Sequence, residues 1–220
     1  MDKKKIVSEL RIFLLMILVI SSLRSALADW NDVPTGSMKP TIQEGDRVVV
    51  NKLAYDLKVP FTTVHIAKWG APSRGDIVVF FSPVDGIRLV KRVIGLPGEQ
   101  VGMKDNRVFI NGVEVPWSTL TLHNNDRDGV TLIGDETLSG HRHKVMVTPA
   151  QPSLKTFDPV QVPAGHYFVM GDNRDNSNDS RFIGFIARRR IVGRATAVAF
   201  SLDRTNYYIP RTERFLRKLD

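Results

Sequence analysis

The chain has 220 residues, 42% hydrophobic and 25% charged, with a formal net charge of +8, enough for one sizeable domain or one domain with an elaborated insertion. It contains no cysteine, which excludes disulfides, thiol nucleophiles and cysteine-bound zinc and is compatible with an oxidising compartment. The positive charge suits anionic lipid or nucleic acid alike, so charge leaves the partner class open.

Lys3, Lys4, Lys5 and Arg11 lead into the only long apolar run, Ile12 to Ile20, followed by Ser21-Ser22-Leu23-Arg24-Ser25-Ala26-Leu27-Ala28. Two readings fit this stretch. Ala26-Leu27-Ala28 before Asp29 has the small-residue pattern of a removable secretory signal. Alternatively, residues 11–28 form one transmembrane anchor helix, slightly short of the roughly 20 residues a spanning helix needs. Arg24 would then snorkel toward headgroups and Trp30 would lie at the interface. Under either reading residues 1–10 stay cytoplasmic and the bulk of the chain, 29–220, is translocated.

Next comes Pro34-Thr35-Gly36-Ser37-Met38-Lys39-Pro40-Thr41. Its two prolines fix φ and disfavour helix before them, and Gly36 permits a close backbone approach. A stiff turn presenting the Ser37 hydroxyl beside free backbone N–H groups has the parts of a nucleophile and an oxyanion hole. Beyond it, β-branched and aromatic runs at Arg47–Val50, Asp76–Phe81, Ile87–Ile94, Arg107–Ile110, Val113–Val115, His166–Met170 and Ile191–Ser201 are separated by Gly, Pro, Asn and Asp. They predict a mainly β, antiparallel fold. Asn111-Gly112 between two alternating runs predicts a two-residue hairpin turn. Residues from about 101 to 165 are poorer in such runs and richer in polar and Pro residues, and read as a β-rich insertion or cap on the main sheet.

A serine nucleophile needs a base. In the run from Ile87 to Ile94, side-chain alternation puts Lys91 on the face of Ile87, Leu89 and Val93. Burial there lowers a lysine's pKa and yields a neutral amine able to take a proton; the plainer reading is a strand lysine that snorkels to water. Arg92 lies on the opposite face, facing an acidic partner or solvent. His141 and His143 read as surface histidines of a polar loop rather than metal ligands. The segment Gly171-Asp172-Asn173-Arg174-Asp175-Asn176-Ser177-Asn178-Asp179-Ser180-Arg181 is dense in Asp and Asn but lacks the glycine and terminal glutamate of a calcium loop. A tight loop braced by side-chain hydrogen bonds and Asp–Arg pairs is the physical alternative.

Four blocks, PTGSMKPT from Pro34, RGDIVVF from Arg74, KRVIGLPGE from Lys91 and GDNRDNSNDSR from Gly171, together with the N-terminal run, resemble the type I signal peptidases, a membrane-bound Ser/Lys endopeptidase family. The resemblance implies Ser37 as nucleophile and Lys91 as general base. It implies an oxyanion hole from the Ser37 N–H and the Thr35 hydroxyl, where the family often has serine. It further implies that Ser177 orients the Lys91 amine, that Arg92, Asp172, Asp179 and Arg181 brace the site in pairs left open, and that the Asp76–Phe81 strand helps line small apolar pockets. No metal or organic cofactor is required. The implied partners are preprotein signal peptides ending in Ala-x-Ala and a lipid bilayer, with no nucleic acid and a monomer expected. The implied location is the bacterial inner membrane, single-pass, with the catalytic domain on the outer face. Two rivals are a secreted β-rich binding protein with an inert Ser37 and a self-cleaving Ser/Lys repressor; the latter requires an N-terminal helix-turn-helix domain where this chain has its apolar run. The basic tail from Arg211 to Lys218 reads either as lipid-facing or as a solvated end.

Overall fold

A computed structural model describes residues 8–17, 21, 28–59, 62, 64–118, 121–125 and 129–219. Residues 8–17 form a helix (α1) whose Leu10, Ile12, Phe13, Leu14 and Leu15 are all exposed. Among the described residues no helix is long and apolar enough to cross a membrane; apart from residue 21, the predicted anchor between 18 and 27 lies outside the described residues. Ala28 opens strand β1 (Ala28–Asp32), pairing antiparallel with Asn51.

The remaining strands run in chain order as β2 (Asp46–Asn51), β3 (Asp56–Lys58), β4 (His65–Lys68), β5 (Ile77–Phe81), β6 (Arg88–Gly95), β7 (Gln100–Lys104), β8 (Arg107–Ile110) and β9 (Val113–Glu114). They continue as β10 (Thr121–Asn125), β11 (Gly129–Leu138), β12 (His141–Val147), β13 (Phe157–Gln161), β14 (His166–Met170), β15 (Ile186–Ala187), β16 (Ile191–Asp203) and β17 (Ile209–Pro210). The main sheet has the order β1-β2-β16-β5-β6-β14-β15, with β17 on β16; every pairing in it is antiparallel. β2 alternates buried and half-buried residues, as a strand with one covered face must, whereas β5 is buried on both faces. Ile77 and Val79 enter one core with Val48, Val50, Met38 and Ile42, while Val78 and Phe80 enter a second with Val93, Val169 and Ile191. Every predicted run became a strand within a residue or two, although Ile87 lies just outside β6 and is exposed.

The stretch from 101 to 165 is richer in strands than its composition predicts. β13, β7, β8 and β9 make one sheet and β10, β11 and β12 another. Among its polar residues Thr131, Glu136 and His143 are buried, and a third core of Val101, Met103, Val108, Val115 and Leu138 joins it to Ile94, Phe168 and Met170 of the main sheet. The Asn111-Gly112 turn forms as expected, with φ of 52° and 80° and Ile110 paired with Val113. The basic tail is not a free end: its backbone is docked on β16, although most of its side chains are exposed. Val198 N–H donates to Arg217 O at 2.8 Å and Leu219 N–H to Thr196 O at 3.0 Å, while Leu219 packs on the first core.

Candidate active site

Gly36–Met38 form one turn of 3₁₀ helix, closed by Lys39 N–H donating to Gly36 O at 3.0 Å, with a cis bond between Lys39 and Pro40. Thr35 stands at its N-cap, exposed and extended, while Gly36, Ser37 and Met38 are buried. The first N–H groups of such a turn have no acceptor within it and point out of its N-terminal end. The turn is held from beneath by the Asp-rich loop. Asn173 N–H donates to Ser37 O at 3.1 Å and Asn173 Nδ2 to Gly36 O at 3.2 Å. A Cβ at Gly171 would stand 2.4 Å from Ser37 O and 2.3 Å from Ser177 Oγ, so only glycine lets the two loops touch here.

Lys91 comes from the middle of β6, directly across the ladder from Val78. Its Nζ lies 2.7 Å from Ser37 Oγ and 3.1 Å from the Val90 carbonyl, with 2% of the residue exposed. Burial pushes its pKa down to about 8, partly opposed by the carboxylates of Asp179 and Asp172 and aided by Arg181. As an ammonium it donates to Ser37; as a neutral amine it can accept the serine proton instead. The strand-lysine reading that snorkels to water therefore does not hold.

The bracing charges resolve into two forked pairs. Arg92 Nε and Nη2 donate to Asp172 at 2.9 and 2.8 Å, and Arg181 Nε and Nη2 donate to Asp179, both at 2.8 Å. Burial works to raise both carboxyls, but the guanidiniums and the remaining donors hold them below the usual range. Those donors are the Thr41 hydroxyl on Asp172 and the Gly171 N–H on Asp179. Ser177 does not reach Lys91. Its Oγ is buried without a well-formed hydrogen bond and lies beside Asp179, whose carboxylate it helps stabilise. Ser177 packs against Gly171, where an added Cβ would stand 2.3 Å from its Oγ.

Several contributors escaped the sequence reading. Arg174 donates to Glu136 at 2.9 and 2.5 Å, with both side chains wholly buried, and Arg174 also lies over the Trp117 ring at 5.8 Å. Despite burial, Arg174 and His143 hold Glu136 at about 2. His143, expected at the surface, is buried in β12 with its Nε2 3.3 Å from Glu136. Asp175 accepts from Thr148 N–H at 2.7 Å and from Ser153 Oγ at 2.5 Å. The signal for Glu136 was available: Gly134, Glu136 and Leu138 alternate onto one buried face of β11. Among the described residues no cluster of His, Asp and Glu is placed to hold a metal ion.

A family model described as signal peptidase, peptidase S26, matches residues 6–200. The signal peptidase I of Pseudomonas fluorescens is 38% identical over 201 residues, covering 86% of this chain and 70% of that protein. Signal peptidase I T of Bacillus subtilis is 40% identical over 174 residues, covering 78% and 73%. A crystal structure of a signal peptidase I from Enterococcus faecalis, at 33% identity, covers 57% of this chain and 97% of its own with a TM-score of 0.37.

Proposed function

The chain belongs to the signal peptidase family, peptidase S26, and from that premise we propose that it removes N-terminal signal peptides from exported preproteins after an Ala-x-Ala site. The observation that carries the chemistry is Lys91 Nζ, buried and 2.7 Å from Ser37 Oγ. Neutral Lys91 takes the Ser37 proton as Oγ attacks the scissile carbonyl. The Ser37 N–H and the Thr35 hydroxyl, at the open N-terminal end of the turn, receive the developing oxyanion. The Lys91 ammonium then protonates the leaving amine, and water activated by the same amine hydrolyses the acyl-enzyme. The substrate's extended stretch joins the site as an added strand. Exposed apolar side chains along α1 support a single membrane anchor at the inner membrane, since a bilayer is the solvent that would cover them. The Lys3-Lys4-Lys5 side would then be cytoplasmic and the sheets outside.

The test is cleavage of a synthetic precursor with Ala-x-Ala before the scissile bond by protein extracted from membranes, with Lys91→Ala alongside. Cleavage after the second alanine by wild type alone, with Met1 or Asp2 at the enzyme's own N-terminus, is expected. An enzyme beginning at Asp29 overturns the anchor and leaves the peptidase; a folded wild type that leaves the precursor intact overturns the peptidase.

A further inference from the structure

Arg214 lies on the turn Thr212–Arg214, beyond the residues matched by the family model, and no step above uses it. It is nevertheless 3% exposed. Its Nε and Nη2 donate to the two Asp46 carboxylate oxygens at 3.0 and 2.5 Å, and Nη2 also donates to the Thr41 carbonyl at 3.1 Å. Both partners close the loop that carries Ser37. Asp46 O accepts from Val33 N–H at 3.0 Å, its Oδ2 accepts from Gln43 N–H at 2.8 Å, and Gly45 N–H returns to Val33 O at 3.0 Å. Thr41 adjoins the serine turn, and its hydroxyl donates at 2.5 Å to Asp172, the carboxylate gripped by the neighbour of Lys91. The segment bearing Arg214 is itself held to β16 through Arg217 and Leu219, and Leu219 packs on the core that contains Met38 and Ile42.

We infer that Arg214 is a positioning residue for Ser37: the C-terminal segment straps the nucleophile loop from behind, and one guanidinium fixes both its closing carboxylate and the carbonyl beside the catalytic turn. The inference rests on the reading of Ser37 as nucleophile. A planar fork fixes direction as well as distance, which a lysine ammonium does not, and acyl transfer is sensitive to displacements of about an ångström. The loop beneath the turn holds it through the Gly36 and Ser37 carbonyls, and the strap constrains the same loop further along, at Thr41 and Asp46.

The experiment measures kcat and KM on the Ala-x-Ala precursor for wild type, Arg214→Ala and Arg214→Lys, each per folded molecule as counted by circular dichroism at the assay temperature. Arg214→Ala is expected to lose kcat by about 10- to 100-fold with KM within about twofold. The pH midpoint should stay put, because Lys91 remains buried. Arg214→Lys, which keeps the charge beside Asp46 but not the fork to it that also places Nη2 on the Thr41 carbonyl, should lose about 3- to 10-fold. A merely structural arginine would reduce only the folded fraction, so a wild-type kcat per folded molecule in both variants overturns the inference. Should Arg214→Ala fail to fold, Arg214→Lys decides alone by the same criterion. A wild type that cuts while both variants cut equally fast removes this inference and leaves the peptidase; a wild type that does not cut removes both.

Discussion

A lysine with 2% of its surface exposed has lost most of its hydration, and the consequence at Lys91 is a proton that leaves near pH 8 instead of 10.5. The unfolded chain keeps that proton between those values, so this site adds stability as pH rises across the window and withholds it fully below about 8, a cost of about 3 kcal/mol. In the proposed mechanism the active form is the neutral one. kcat/KM on the precursor should therefore climb about tenfold per pH unit below 8 and level off above it; a profile flat from pH 6 to 9 would exclude Lys91 as the base. Removing the charge should help the fold while ending the chemistry. Lys91→Met is expected to gain about 1–3 kcal/mol at pH 7, a few degrees in Tm, with no turnover. Thermal unfolding checks this, and a Tm below wild type counts against it.

At the scale of elements, the Asp-rich loop is the joint between the main sheet and the strands of residues 101–165. Met146 N–H donates to Asp172 O and Arg174 N–H to Met146 O, both at 2.8 Å, so β12 is stitched to the loop that seats Ser37. Glu136 of β11 completes the joint by neutralising Arg174. Glu136→Ala would strand a guanidinium with no exposed surface, at about 3–5 kcal/mol, whereas Glu136→Gln keeps an acceptor and should cost less. Urea unfolding of the two variants decides this, and equal midpoints would show that the pair contributes little. Because the Glu136, Asp172 and Asp179 carboxyls are held below their ordinary values, their contribution is present above about pH 4 and disappears as pH falls through the lower, folded values.

Over the whole molecule, what could be read from residues was whatever is local. β-branched and aromatic runs located β2, β5, β6 and β16, and the Asn111-Gly112 turn announced its hairpin, because strand propensity and turn chemistry are written into neighbouring positions. Ser37 and Lys91 stood out through a proline-bracketed turn and a charge on an apolar face, and the family resemblance joined them. The pairing of Arg92 with Asp172 and Arg181 with Asp179, the burial of His143 and the docking of the tail depend on contacts between distant segments, for which a single sequence has no periodicity. The strap also has a consequence in time. A chain is made from its N-terminus, so Asp46 is synthesised long before the guanidinium that neutralises it. Until Arg214 emerges, that carboxylate cannot be buried without a large penalty. The loop around Ser37 thus settles only after Arg214 has been made, and a chain that stops short of it carries Ser37 without the seat that holds it.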